Sequence, residues 1–374
     1  MKKIKSILVF TTMIIPCFLF SACWDKFEPE ERGFVTAIGI DKGSNNEFNI
    51  SVEVPEMGIF ESNSDSQDSA SDVSENGNSY VESCTGNTVW SAIKTIDGVT
   101  DRKLDFGQIK LCVIGEEILK NKALFQQTED ALERNKDIWR KVLICATKQN
   151  AEDILKGYDG DRKTAGFFTT AFFNNNKKST DLTFKRDLQN ILSDLSMSGN
   201  TAIPVVSTEN GEIYFSGMAV IRDYTLVGYC ENEIIKGFNI ISEDISETDI
   251  VTDYNGIKVP LKVNKKNTDI SFVDDNNKVK CIITTDIDGD VEEFKYDDVP
   301  VSELENAYNS TVTKYIKDTF SYFKNTLKTD VLQLNEKCRK KENSIYKKYN
   351  GNVFNNMELE VNAYVHIKGM GTID

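Results

Sequence analysis

Two apolar runs, each with a helical pattern behind it, constrain this chain more than any other feature. IKLCVIG (109–115) leads into EEILKNKALFQQTEDALERN, and VLICATK (142–148) leads into AEDILKG. Short apolar runs of this kind read as buried strands, and strands alternating with helices indicate an α/β domain. Asn150, Glu152 and Asp153 place acceptors and negative charge at the head of the second helix, where free backbone N–H groups and the helix dipole favour them. Upstream, GFVTAIGID (33–41) and NEFNISVEV (46–54) flank KGSN, a hairpin signal. Asn87 or Thr88 can cap a helix that runs through Ile96.

Between these elements the composition collapses. Residues 61–79 contain only Ala70 and Val73 as apolar side chains. Such a stretch buries too little surface to offset its ordering entropy and is expected to be a mobile loop. Beyond it, FKRDLQNILSDLSMSG reads as an amphipathic helix ending at Gly199, followed by strands at TAIPVVST, EIYFSGMAVIRD and TLVGYC. Residues 249–294 are strand-rich. A long helix then runs from Leu304, with Ser302 and Glu305 in the spacing of a capping box. The alternation of Met357, Leu359, Val361, Ala363, Val365 and Ile367 with polar residues predicts a last strand with one buried face. The expected fold is α/β of mixed α+β character, with mixed sheets packed by helices and the long helix and antiparallel strands in the carboxyl-terminal region. The expected division is a leader (1–22), an amino-terminal α/β domain (23–200) and a carboxyl-terminal region (201–374) of two subdomains, about 201–250 and 251–374.

The leader has three lysines at positions 2, 3 and 5 and an apolar core over residues 7–20. That is a secretory signal peptide, and its core falls short of the roughly 20 residues needed to cross a bilayer. Ser21 and Ala22 before Cys23 resemble a lipobox, at which Cys23 becomes the first mature residue and carries a diacylglyceryl group. Ordinary cleavage after Ala22 is the alternative. Without the leader the chain holds 41 basic against 59 acidic residues, a formal charge of −18. Nucleic-acid binding is disfavoured by that charge, and membrane contact falls to the acyl chains. Trp24–Arg32 then spans at most roughly 30 Å, which keeps the body near its membrane.

Catalytic patterns are missing. One histidine excludes H-E-x-x-H, and neither G-x-S-x-G, a P-loop nor G-x-G-x-x-G occurs. His366 reads as a surface residue, DIDGD (286–290) as a β-turn and Glu116 with Glu117 as first-turn carboxylates. No catalytic, cofactor-binding or metal-ligating residue is assigned. Cys84, Cys112, Cys145, Cys230, Cys281 and Cys338 are spaced without close pairs; buried free thiols are the preferred reading and disulfides stay open.

Several segments resemble the Ger(x)C family, the lipoprotein C subunits of spore germinant receptors. They are CWDKFEPEERGFVTAIGIDKG at the mature start, LDFGQIKLCVIGEEIL, FSGMAVIRDYTLVGYCENE and LKTDVLQL, in the family's order over nearly the full length. Gln108 stands where the family often has histidine and Gln333 where it usually has glycine. The resemblance implies spore germination as the process, a palmitate- and diacylglyceryl-type anchor at Cys23 and a place on the outer face of the spore inner membrane. It implies assembly with two integral membrane subunits, of A type and B type, without enzymatic activity or a cofactor, and it leaves contact with a small-molecule nutrient open. An extracytoplasmic solute-binding lipoprotein is the rival, and it would show two similar lobes around a cleft.

Overall fold

The computed structural model describes residues 31–56, 79–160, 164–174, 183–242, 249–275, 277–291 and 299–370. Cys23, the leader and the expected loop up to residue 78 lie outside them, whereas Ser79 opens a strand.

The chain enters through β1 (Arg32–Phe34) and forms the hairpin β2 (Ala37–Lys42) and β3 (Phe48–Pro55), with β4 (Ser79–Gly86) antiparallel to β3. Helix α1 (Val89–Asp97) begins at Thr88, whose Oγ1 accepts from Ser91 N while Ser91 Oγ accepts from Thr88 N. Next come β5 (Lys103–Asp105), which pairs parallel with β1, then β6 (Leu111–Gly115), α2 (Glu116–Leu119) and α3 (Lys122–Arg134). One helix was expected over 116–135. It is broken at Asn121, whose side chain accepts from Leu124 N and so starts a second helix. The order continues with β7 (Leu143–Thr147), α4 (Ala151–Lys156), α5 (Ala165–Asn174), α6 (Leu188–Ser198), β8 (Thr201–Glu209), β9 (Glu212–Arg222) and β10 (Thr225–Cys230).

Eight of these strands form one mixed sheet in the order β10-β9-β8-β7-β6-β2-β3-β4. Its four central strands are parallel and its flanks antiparallel. Both faces are buried, as the uninterrupted apolar runs require. Ile38, Ile40, Cys112, Ile114 and Ile144 pack with the side chains of α1, α3 and α6. Ala37, Leu111, Val113 and Cys145 face α4 and α5. The division expected at residue 200 falls inside this layer, because β8 pairs with β7 through Ala146 and Val205 and carries β9 and β10 with it.

The remaining chain builds α7 (Glu233–Ser242), β11 (Asp249–Tyr254), β12 (Ile257–Asp275), β13 (Lys278–Val291), α8 (Val301–Ser321), α9 (Leu334–Lys341), α10 (Asn343–Lys348) and β14 (Met357–Met370). Its sheet runs β11-β12-β13-β14, with the last pair parallel. Leu304, Tyr308, Val312 and Ile316 of α8 enter one core with Val259, Leu261, Cys281 and Ile283. That core includes Ala202, Met218 and Val220, so β8 and β9 serve both halves of the molecule. Helix α7 crosses α8 at Gly237, where Tyr315 O and Thr319 Oγ1 leave no room for a Cβ.

Two expectations are corrected here. DIDGD is not a turn but the last part of β13, with Asp286 opposite Asn267 on one side and Tyr364 on the other. Its aspartates alternate with buried Ile287, and Gly289 is needed because a side chain there would strike Lys262 O. The capping box at Ser302 and Glu305 does not form. Pro300 occupies the N-cap and has no N–H for a glutamate to receive, so Glu305 Oε1 accepts instead from Ile367 N of β14, at 3.0 Å. Gln333 adopts φ 55°, a left-handed conformation that costs a side-chain-bearing residue about 1–2 kcal/mol. Its Nε2 donates to Asn200 O at 2.9 Å and ties the two halves together. Gln333→Gly is therefore expected to be more stable than Gln333→Ala by about 1–2 kcal/mol in chemical denaturation, since both lose the bond and only alanine keeps the strain.

Candidate functional site

Buried carboxylates are where chemistry would first be sought. Glu53 is fully buried and accepts from Ala165 N (2.7 Å), Gly166 N (3.2 Å) and Thr36 Oγ1 (2.8 Å). Asp41 accepts from Ala151 N and Glu152 N, and Asp330 from Leu334 N and Asn335 N. Each thus satisfies the open N–H groups at the start of a helix, more than a hundred residues away for Glu53 and Asp41 and directly downstream for Asp330. Burial pushes Glu53 up to about 7 and Asp330 up to about 6, and raises Asp41. These groups hold α5, α4 and α9 in place.

A second charged cluster joins the halves. Asp194 of α6 accepts from Thr201 Oγ1 at 3.0 Å. Burial raises its proton affinity against the opposing pull of Arg186 and Lys337. Lys337 likewise opposes the rise at Asp330. Arg186 lies 5.8 Å from the rings of both Phe184 and Phe238. This is a structural joint between α6, α7 and α9.

The residues weighed from sequence fall apart in space or into plain roles. Glu116 and Glu117 stand in the first turn of α2, both within 3.2 Å of Lys120 Nζ. His366 is exposed on β14, beside Asp288 in register. All six cysteines among the described residues are free, and burial raises the thiols of Cys112, Cys145, Cys230, Cys281 and Cys338, which keeps them protonated and unreactive. No group of side chains among the described residues could hold a metal ion. The two sheets differ in strand number and order, unlike the similar lobes of the solute-binding rival.

Sequence reasoning missed one concavity, a groove of about 560 Å³ between α1 and α3. Its walls are Val89, Trp90, Ala123 and Ala131, and its rim is Gln126, Gln127 and the ion pair Asp130–Arg134 (2.6 Å). Trp90 is fixed by a bond from Nε1 to Ala131 O and by its edge contact with Phe106. Such a groove can take a small amphipathic group but has no titratable residue poised for catalysis. Nothing in the periodicity of either helix signals it, because it arises from their crossing.

Comparison with known proteins decides the family. The spore germination protein N-terminal domain matches residues 25–208, and the spore germination B3/GerAC-like C-terminal domain matches residues 216–371. The chain belongs to the GerAC-like spore germination family. The resemblance read from its segments thus holds along its length, and the two family matches flank the β8–β9 turn. Among Bacillus subtilis (strain 168) members of the family, spore germination protein B3 is 21% identical, covering 97% of this chain and 98% of that protein. Spore germination protein KC is 22% identical over 92% of this chain and 88% of that protein. The crystal structure of the GerBC protein shares the fold, with a TM-score of 0.59 at 15% identity over 88% of this chain and 96% of that one.

Proposed function

We propose that this chain is the lipid-anchored, non-catalytic subunit of a spore germinant receptor, held on the outer face of the spore inner membrane and assembled with A-type and B-type integral membrane subunits. The observation that carries this reading is the match to germination-protein families over residues 25–208 and 216–371. Among the described residues no helix is long and apolar enough to cross a membrane. The anchor in this reading is acylated Cys23, whose two acyl chains on one glyceryl group suffice for stable attachment. The nine residues from Trp24 to Arg32 then hold the body within roughly 30 Å of its partners, so modest interfaces persist at high effective concentration.

The test uses Cys23→Ser in a chain tagged at its carboxyl end. The parent is expected to partition with membranes and to co-purify with two integral subunits, while the variant loses membrane partitioning at least about tenfold once those subunits are deleted. Spores lacking the protein are expected to ignore the nutrients of the cognate receptor yet respond to triggers that bypass nutrient receptors. Retained partitioning of Cys23→Ser without partners overturns the anchor. A wild-type response of null spores to every nutrient, with no second receptor to compensate, overturns the germination role.

A further inference from the structure

We propose that the end of the eight-stranded sheet at which β1 enters rests on the lipid surface, with Trp139 and Val99 lodged at the level of the headgroups. The inference rests on the anchor proposed at Cys23 and adds an orientation to it. Val99 and Trp139 are 71% and 68% exposed, the two highest values for large apolar side chains among the described residues. Trp139 is not an inward residue turned out: its neighbour Ile138 is the one that fills the core.

Both side chains belong to the same end of the fold. Val99 follows α1 and precedes β5, whose first residue Lys103 pairs with Arg32 of β1. Trp139 O accepts from Val142 N directly before β7. Leu143 N donates to Lys110 O and Lys110 N donates to Thr36 O, so the starts of β2, β6 and β7 form one row. The tether runs to this row, because the chain before it is bound to reach Cys23 in nine residues. The sheet end next to Arg32 is therefore the part of the body held closest to the bilayer.

Its composition fits that place. From Lys136 to Lys141 the chain carries Lys136, Arg140 and Lys141 against Asp137; Arg140 and Lys141 also reach Glu133 and Asp187, yet the Lys141 side chain stays 80% exposed. An indole flanked by cations suits the interface, where the ring reaches the acyl boundary and the charges meet phosphates.

The test uses the full mature lipoprotein carrying Trp24→Phe, in vesicles of phosphatidylcholine and phosphatidylglycerol with or without lipids brominated on the acyl chain. Trp90, half-buried against α3, supplies a background of its own, measured on both lipids in a chain that also carries Trp139→Phe and subtracted. The emission assigned to Trp139 is expected to shift to the blue and to lose at least about half its intensity on brominated lipid. Anchored protein with unquenched Trp139 overturns the orientation and leaves the anchor standing. Protein that does not partition overturns both. Shielding of Trp139 only when the integral subunits are added overturns the lipid contact in favour of a protein interface.

Discussion

Phe238→Ala is expected to lower the unfolding free energy by about 3–5 kcal/mol, the cost of removing a buried phenyl ring from a site that cannot collapse. The ring is fully buried, 4.9 Å from Phe184 and 6.3 Å from Phe323 by centroids. Phe184 belongs to the segment leading into α6, and Phe323 to the helical turn that continues α8. Asn239 beside it donates to Thr183 O at 3.0 Å. One side chain thus fills the seam between the two halves, and its loss is expected to lower the melting temperature by roughly 4–7 °C. It should also separate one thermal transition into two. A loss under about 1 kcal/mol would show that the halves are joined elsewhere.

Mild acidification is expected to stabilise the protein, and Glu53→Gln is expected to remove much of that gain. The carboxyl of Glu53 titrates near 7 when folded and near 4.5 when unfolded. Above about pH 7 the folded state holds a buried charge whose partners among the described residues, Ala165 N, Gly166 N and Thr36 Oγ1, are all uncharged. As pH falls from 7 to 4.5 the folded chain binds a proton that the unfolded chain does not, so stability rises, by about 3 kcal/mol for a shift of this size. Asp330 has the same sign between 6 and 3.8. The opposite trend comes from ion-paired carboxylates such as Glu152, Glu336 and Glu358, whose depressed values act only below about 4.5. Melting temperature measured from pH 7.5 to 5 on parent and Glu53→Gln reads the difference directly. Equal slopes for the two chains would show that Glu53 keeps its ordinary proton affinity.

Much of the fold was legible because it is written in local periodicity. The apolar runs at 111–115 and 143–147, the helix ending at Gly199 in a left-handed cap, and the alternating last strand all lie where pattern placed them. What escaped depends on partners far along the chain. Glu53 sits in an otherwise strand-like run, and its partners stand more than a hundred residues later. Asp and Gly in DIDGD carry the chemistry of a turn, yet both neighbours of β13 are already formed and impose extended backbone. The aromatic helix α5 (AGFFTTAFFN) has no polar face to report its orientation, since the sheet and Phe215 surround it. Of the candidate site, the absence of familiar catalytic patterns was readable; the groove between α1 and α3 was not, because it is a property of two helices crossing.

Strand β14 has a consequence for the order in which the molecule assembles. It pairs in parallel with β13, joining Val279 to Met357 and Ile287 to Val365 across a connection of more than seventy residues. Closing so long a loop is slow relative to forming hairpins, and the strand that closes it follows every other described element of the fold in chain order. Until it arrives, the edge of β13 that pairs with it and the acceptors Asn309 Oδ1 and Glu305 Oε1 of α8, later met by Val365 N and Ile367 N, stay open, and the core under α8 cannot shut. The carboxyl-terminal half therefore stays uncommitted until β14 docks, while the eight-stranded sheet, complete at Cys230, can close without it.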